Sequence, residues 1–126
     1  MDKMKNYWGT SVHTPTQEQI KRMLPAEGEL NLLPAELQKR INDCPSKTGQ
    51  LKQLADDIIE FCINNNARLY QPGGSLALLF TLGKRIGARE VEVYFAHSPR
   101  IAQETTQLDG SVKKTSYFSF KRWVEV

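Results

Sequence analysis

Glycine, hydroxyl, histidine and basic side chains gather in three short polar segments, and each type can take part in binding or cutting a phosphate ester. The segments are Gly9–Thr14, Gln71–Ser75 and Ala96–Arg100. In the second, Gly73 and Gly74 carry no Cβ, so backbone N–H groups can approach an anion, and Ser75 can cap a helix whose positive end faces it. A phosphate or a ribose would fit on such a turn. The same residues would also make a plain tight turn between a strand and a helix.

Two histidines and two basic residues add proton transfer and fixed charge to these segments. An imidazole exchanges protons near neutral pH, so His13 and His97 are candidates for acid-base work, although loop histidines are also common plain surface residues. Arg100 and Lys114 suit the binding of a phosphate and the stabilisation of its extra charge during transfer. The alternative for both is a solvated surface, and for Lys113 we adopt that interpretation.

Two common nucleotide-binding motifs are absent from the sequence. The dinucleotide pattern G-x-G-x-x-G does not occur, because the two glycines after Pro72 are adjacent and no third glycine follows at the required distance. The segment around Gly83 and Lys84 imitates the end of a P-loop. However, Leu78 stands where its first glycine belongs, and Arg85 stands where a hydroxyl should bind magnesium.

Composition is that of one ordinary folded domain. The chain has 126 residues, 40% of them hydrophobic and 25% charged, with a net charge of +3, so we expect a single domain over residues 1–126. This modest charge favours a small anionic ligand over duplex nucleic acid. Cys44 and Cys62 lack metal-ligand spacing, so we expect reduced thiols, no metal site and no cofactor. No signal peptide is visible and the longest apolar run, Leu76–Phe80, is too short for a membrane span, so we expect a cytoplasmic protein.

Hydrophobic periodicity predicts an alternation of strands and helices followed by a hairpin. Thr14 is the predicted cap of the first helix, with Pro15 at its first position and Gln17 completing a capping box. Asp109-Gly110 predicts the turn of the terminal hairpin. We therefore expect an α/β domain with a mainly parallel sheet and helices on both faces, in which the three polar segments gather beyond the carboxyl ends of the strands. The predicted strands are Asn6–Val12, Gly28–Leu33, Ala67–Gln71 and Arg89–Ala96, and the helices begin near Pro15 and Pro34, cover Ser46–Asn65, and run from Ser75 to about Gly87.

The segment Leu76–Ile86 is apolar on almost every side. One face should pack on the sheet. We expect the other to pack on a second subunit about a two-fold axis, since so short a chain has few other partners for it. The alternative is that the terminal hairpin covers this face.

Three phrases of the sequence together resemble a known family. Ser11–Ile20, Leu32–Asp43 and Ala96–Phe118 are similar to the small stand-alone CARF-like proteins of type III CRISPR loci, a group that includes ring nucleases. The resemblance implies a Rossmann-like homodimer that binds cyclic oligoadenylate, above all cyclic tetra-adenylate, across its two-fold axis. A ring nuclease linearises this second messenger and so switches off the antiviral response.

The resemblance also implies which residues touch the ligand. Ser11, His13 and Thr14 match the first-strand loop of the family. The family pattern has a basic residue and a histidine after the phenylalanine matched by Phe118, where this chain has Ser119 and Phe120. Proton transfer in this chain therefore uses another residue, or the ring is not cut. The residues that match the closing hairpin of the family are Arg100, Glu104, Asp109, Gly110 and Lys114.

The resemblance thus implies a metal-independent ring nuclease in which a ribose 2′-hydroxyl attacks the neighbouring phosphate, and the residues singled out above fit that chemistry. His13 is the predicted acid for the leaving 5′-oxygen, and Arg100 and Lys114 are the predicted charge partners. Two alternatives remain, namely a binder that holds the ring without cutting it and an unrelated nucleotide- or nucleic-acid-binding module, which the modest charge disfavours. The predicted substrate-binding residues are Thr10, Ser11, Thr14, Gly73, Gly74, Ser75, His97 and Ser98.

Overall fold

Seven strands and four helices make up the part of the chain that the computed structural model describes, residues 4–126. The order confirms the predicted alternation and the terminal hairpin. Ala67–Gln71 is a strand with the bounds that its sequence predicts. The elements are β1 Lys5–Trp8, α1 Gln17–Lys21, β2 Asn31–Leu32, α2 Ala35–Asn42, α3 Thr48–Asn64, β3 Ala67–Gln71, α4 Leu76–Ile86, β4 Glu92–His97, β5 Arg100–Thr106, β6 Val112–Phe118 and β7 Arg122–Glu125.

Five strands form a mostly parallel sheet in the order β2-β1-β3-β4-β7. The first four are parallel to one another, so the prediction of a mixed α/β fold with a mainly parallel sheet is confirmed. The last strand, β7, pairs antiparallel with β4 and was not predicted, because Arg122–Glu125 is short and half charged. It makes β4 an interior strand, as the apolar end of that segment indicated.

One face of the sheet packs against α2, α3 and α4. Leu54, Ile58 and Ile59 of α3 are fully buried there, against Leu69 of β3 and Val93 of β4. Burying an aliphatic side chain of this size stabilises the fold by about 1.5–3 kcal/mol. The three- and four-residue spacing of apolar positions in α3 is therefore the main source of the core.

The opposite face is aromatic and lies against α1 and the loop that follows it. The ring of Trp123 makes edge contacts with Trp8 at 5.7 Å and with Tyr70 at 4.8 Å. Trp123 Nε1 donates a hydrogen bond to the Gln19 carbonyl at 3.1 Å, and the Tyr70 hydroxyl accepts one from Leu24 N at 2.8 Å. These bonds hold a helix of only five residues on the sheet.

The cap of α1 differs from the predicted one. Thr16, not Thr14, accepts a hydrogen bond from Gln19 N at 3.1 Å, and Gln19 Oε1 accepts one from Thr16 N at 3.0 Å. Both Thr14 and Thr16 are followed three residues later by glutamine, so the sequence allows either capping box. Packing decides which threonine caps the helix, because Gln19 is buried and its carbonyl accepts a hydrogen bond from the Trp123 indole N–H.

The terminal hairpin, β5 with β6, forms a separate two-stranded sheet that we call the arm. Its turn has Gly110 at φ +87°, and Asp109 Oδ1 accepts hydrogen bonds from Ser111 N and Oγ, which lower the pKa of that carboxyl. Hydrogen bonds from Ser119 N to the Pro99 carbonyl and from Lys121 N to the His97 carbonyl join the arm to β4 and β7. An isolated two-stranded hairpin is marginally stable in water, so packing against another protein surface would stabilise the arm.

The arm does not cover α4. Leu76 and Phe80 remain 69% and 67% exposed, so the outer face of α4 is uncovered in the single chain. The side chains of Leu108, Val112, Tyr117 and Phe118 on the arm are exposed as well. Two apolar surfaces therefore face solvent, one on the helix and one on the arm. Among residues 4–126, no helix combines the length and apolar character that crossing a bilayer requires.

Candidate functional site

A cavity of about 280 Å³ lies where the loops after β1 and β3 diverge. From β1 the chain moves outward to β2, and from β3 it moves outward to β4, so the strand order reverses between these two neighbouring parallel strands. Ligands of open α/β sheets bind at such a point, beyond the carboxyl ends of the strands. We call it the switch-point cavity. Its lining residues are Thr10, His13, Ile41, Asn42, Cys44, Gln71, Gly73, Gly74 and Ser75.

Hydrogen bonds fix the loop after β1. Thr10 is 2% exposed, and its Oγ1 donates to Asn42 Oδ1 at 3.1 Å and accepts from Val12 N at 3.1 Å. The carbonyl of His13 accepts a hydrogen bond from Trp8 Nε1 at 2.6 Å. The backbone of His13 is therefore tied to the sheet, and the residue, which is exposed overall, lines the cavity.

The loop after β3 brings the N-terminus of α4 to the same cavity. Ser75 Oγ accepts hydrogen bonds from Ala77 N at 3.1 Å and Leu78 N at 3.5 Å, so the predicted cap is confirmed. Gly74 has φ +134°, a conformation that side chains with a Cβ rarely adopt. Apart from the two chain neighbours of Gly73, no residue in the described part of the chain has an atom within 4 Å of where a Cβ on Gly73 would stand. An anion could therefore approach these backbone amides closely.

Four lining residues were not predicted from the sequence. Ile41, Asn42 and Cys44 come from the end of α2, and only the packing of that helix on the sheet brings them to the cavity. Gln71 is the last residue of β3. A polar residue at the end of a predicted inner strand is a signal that would have identified Gln71, since that position lies at the carboxyl edge of the sheet.

Gln71 is held against the end of β1. The residue is 4% exposed, and its Nε2 donates to the Gly73 carbonyl at 2.9 Å. Its Oε1 is buried and has no hydrogen-bond partner among the described residues. A Cβ on Gly9 would overlap this oxygen, so the carboxamide occupies space that only a glycine at that position leaves free.

Five of the eleven predicted site residues line the switch-point cavity, and the others lie elsewhere. Ser11 lines a depression on α2 and its N–H donates to Gln38 Oε1 at 2.8 Å. Thr14 is exposed in the loop before α1. His97 lines a different cavity of about 230 Å³ between α4 and β7, and Ser98 follows it, partly buried.

The two predicted cations are on the arm. The guanidinium of Arg100 lies over the ring of Phe118, 5.1 Å from its centroid, and Lys114 Nζ is 3.6 Å from Glu104 Oε1. Both residues are exposed. The described residues that line the switch-point cavity include neither lysine nor arginine. In one chain, the N-terminus of α4 supplies positive potential at the cavity.

The cavity combines hydroxyl, amide and imidazole groups with the open amides of a helix N-terminus. These groups can bind a phosphate or ribose and can hydrogen-bond the edge of a base. Cys62 is buried in the core, where burial raises the pKa of its thiol to about 12, so it is not a nucleophile at neutral pH. Among residues 4–126, the structure brings together no group of three or more His, Cys, Asp or Glu side chains that could hold a metal ion.

The fold and the cavity define a mixed α/β protein with a mostly parallel sheet and a candidate ligand site where its strand order reverses. A family model matches residues 5–124, and the chain belongs to that family, described as the "Uncharacterized protein MJ1673 family". No curated protein and no solved structure matches the chain. The family description names no ligand or reaction, so the resemblance to CARF-like proteins stays a prediction.

Proposed function

We propose that this protein is a metal-independent ring nuclease that binds cyclic oligoadenylate, above all cyclic tetra-adenylate, and opens the ring. The observation that carries the proposal is the switch-point cavity, in which the N-terminus of α4 meets Thr10 and His13. On this proposal the protein is a Rossmann-like, cytoplasmic homodimer that switches off type III CRISPR antiviral signalling. It needs no cofactor.

The size of the cavity supports a dimeric site. At about 280 Å³ it is near the lower limit of the ~300–1,000 Å³ typical of small-molecule sites. One cavity of this size suits about one nucleotide unit rather than a ring of four. Two cavities related by a two-fold axis would hold two units of the ring and repeat the same contacts on each side.

The reaction follows from groups placed around one phosphate. The ribose 2′-oxygen attacks phosphorus and loses its proton to solvent, while the bond from phosphorus to the 5′-oxygen breaks and that oxygen receives a proton from His13. The products are a 2′,3′-cyclic phosphate and a free 5′-hydroxyl. Holding the attacking and leaving oxygens in line supplies much of the rate. The amides of Gly73 and Gly74, with Arg100 and Lys114 of the arm, stabilise the charge on the phosphate.

Incubation of the purified protein with cyclic tetra-adenylate in excess, with EDTA present, tests the proposal. We expect linear products ending in 2′,3′-cyclic phosphate to accumulate beyond one equivalent per site. The ligand is analysed by chromatography after incubation. Gly74→Val, which places a branched side chain in the loop at an unfavourable φ, is the control that should neither bind nor cut. Absence of both binding and cutting by the unaltered protein would contradict the proposal.

The position of the cations favours a second candidate function. Because Arg100 and Lys114 lie outside the cavity of their own chain and contact other arm residues, the site has the means to bind the ring but lacks fixed charge at the reacting phosphate. The protein would then be a sponge or sensor for cyclic oligoadenylate. The same incubation distinguishes the two, since a sponge returns the ring intact after any length of time.

The exposed face of α4 is the proposed dimer contact. Burial of Leu76 and Phe80 would each contribute about 1.5–3 kcal/mol to association, so Leu76→Glu with Phe80→Glu should weaken the dimer by at least ~100-fold. Sedimentation at micromolar concentration should give a dimer for the unaltered protein and a monomer for this variant. Ile63→Glu, on the exposed side of α3, is the matched control and should stay dimeric. A monomeric unaltered protein would show that the dimer proposal is wrong.

A further inference from the structure

The carboxamide of Gln71 has a buried oxygen that nothing in the described chain satisfies. Its nitrogen is committed to the Gly73 carbonyl at 2.9 Å, which fixes the orientation of the amide and leaves Oε1 as the unpaired end. Buried acceptors in native proteins almost always have a partner, so an exception at the wall of a cavity requires a reason. A ligand in the cavity would supply one.

The packing around Gln71 shows that the fold makes room for this amide. Gly9 stands where any Cβ would overlap Oε1, so the end of β1 approaches the carboxamide more closely than other residues allow. An apolar side chain of the same length could fill that space without an unpaired acceptor. The amide is therefore not needed to fill the core. Its nitrogen holds the Gly73 carbonyl, but its oxygen has no structural partner among the described residues.

We propose, on the basis of the function proposed above, that Gln71 is the residue that recognises adenine in the ring. Glutamine binds adenine through two hydrogen bonds, in which its oxygen accepts from the N6 amino group and its nitrogen donates to N7. The carboxamide turns from Gly9 into the cavity when the ligand enters. This rotation of the side chain breaks no hydrogen bond to Oε1, which has none among the described residues. The hydrogen bond from Nε2 to the Gly73 carbonyl is replaced by one to N7 of the base. The motion gives up the hydrogen bond to the Gly73 carbonyl, and the two hydrogen bonds to the base compensate for that loss.

This assignment explains a preference for adenine over a base with a carbonyl at position 6. Hypoxanthine carries an oxygen acceptor where adenine carries the amino donor. Two acceptors would then face each other, and Oε1 would again lack a partner. A good two-bond pair of this kind discriminates by roughly 10-fold or more. The site would thus read the base through Gln71 and the phosphate through the N-terminus of α4.

Binding of 5′-AMP and 5′-IMP, measured by calorimetry on the full-length protein, tests the inference together with the thermal stability of the free protein. The unaltered protein should bind 5′-AMP roughly 10-fold more tightly than 5′-IMP. Gln71→Met, which keeps the length and removes both polar groups, should bind the two nucleotides within about 3-fold of each other. Because the removal of a buried unpaired acceptor offsets the loss of the hydrogen bond to the Gly73 carbonyl, its melting temperature should stay close to that of the unaltered protein.

A purely structural role for Gln71 gives the opposite pattern. Gln71→Met would then melt at a lower temperature and keep the preference for 5′-AMP, and this result would overturn the inference. Gln71→Glu is a second variant for the case in which the methionine variant does not fold. It keeps the acceptor for N6 but loses the donor to N7, which both bases carry, so both nucleotides should bind more weakly while the preference for 5′-AMP remains. Loss of that preference in Gln71→Glu would overturn the inference.

Measuring the binding of cyclic tetra-adenylate beside that of 5′-AMP and 5′-IMP distinguishes failure of this inference from failure of the proposed function. Binding of cyclic tetra-adenylate by the unaltered protein, with equal affinity for 5′-AMP and 5′-IMP, would overturn the role of Gln71 and leave the proposed function standing. Binding of none of the three would overturn both. Gly9→Ala should keep the preference for 5′-AMP, since the added methyl group displaces the carboxamide only from the unliganded position that it leaves on binding.

Discussion

Replacing His13 by alanine is expected to slow the opening of cyclic tetra-adenylate by about 10²–10⁴-fold, the usual contribution of a positioned general acid. The affinity for the ring should change little. His13 lines the switch-point cavity, and a hydrogen bond of 2.6 Å from Trp8 Nε1 holds its carbonyl. Because the backbone is fixed, the imidazole of His13 can reach only a limited region. It is therefore available for proton transfer without being needed to bind the ligand.

Single-turnover rates at saturating protein give the chemical step, and calorimetry with the cleavage-deficient variant gives the affinity. His97→Ala is the matched control, because His97 lines the separate cavity between α4 and β7. It should cut the ring within about 3-fold of the unaltered rate, far from the 10² expected of an acid. An equal loss of affinity and rate in His13→Ala would make His13 a binding residue. An unchanged rate would remove it from the mechanism.

Removing the two cations of the arm, Arg100 and Lys114, is expected to have the second-largest effect on ring opening. Arg100→Ala combined with Lys114→Ala should weaken binding and reduce the rate by about 10²–10³-fold, because fixed positive charge stabilises the transferring phosphate. Lys113→Ala is the matched control. Lys113 pairs with Thr105, while Lys114 pairs with Glu104 on the other face of the arm. It removes one positive charge from the opposite face of the arm and should change the rate little.

A mixture of variants shows which chain the arm serves. The seven residues of β5 span about 23 Å at ~3.3 Å per residue, and Arg100 and Lys114 of the arm do not line the cavity of their own chain. We expect the arm to act on the partner's cavity. Neither His13→Ala nor the double arm variant should be active alone. Mixed and reassociated, they should recover about one quarter of the activity, because half of the dimers are mixed and each mixed dimer has one intact site. No recovery would assign the arm to its own chain, and unchanged rates in the double variant would overturn its catalytic role.

The sequence by itself determined the elements whose signals are local. Apolar residues at three- and four-residue spacing fixed α3, and the left-handed conformation of Asn66 at φ +46° ends it, as the run of asparagines indicates. Ser75 caps α4, and Asp109-Gly110 makes the turn of the arm. Each of these features depends on hydrogen bonds or torsions within a few residues, so the identity of those residues is sufficient to predict them.

Tertiary structure alone decided the features that depend on distant partners. Thr16 rather than Thr14 caps α1 because Trp123, more than a hundred residues away, binds the Gln19 carbonyl. The cavity includes Asn42 because α2 packs beside the loop after β1, where Thr10 donates to its side chain. The unpaired oxygen of Gln71 depends on how closely the end of β1 approaches β3. Side-chain packing across the sheet sets these contacts, and no spacing along the chain encodes it.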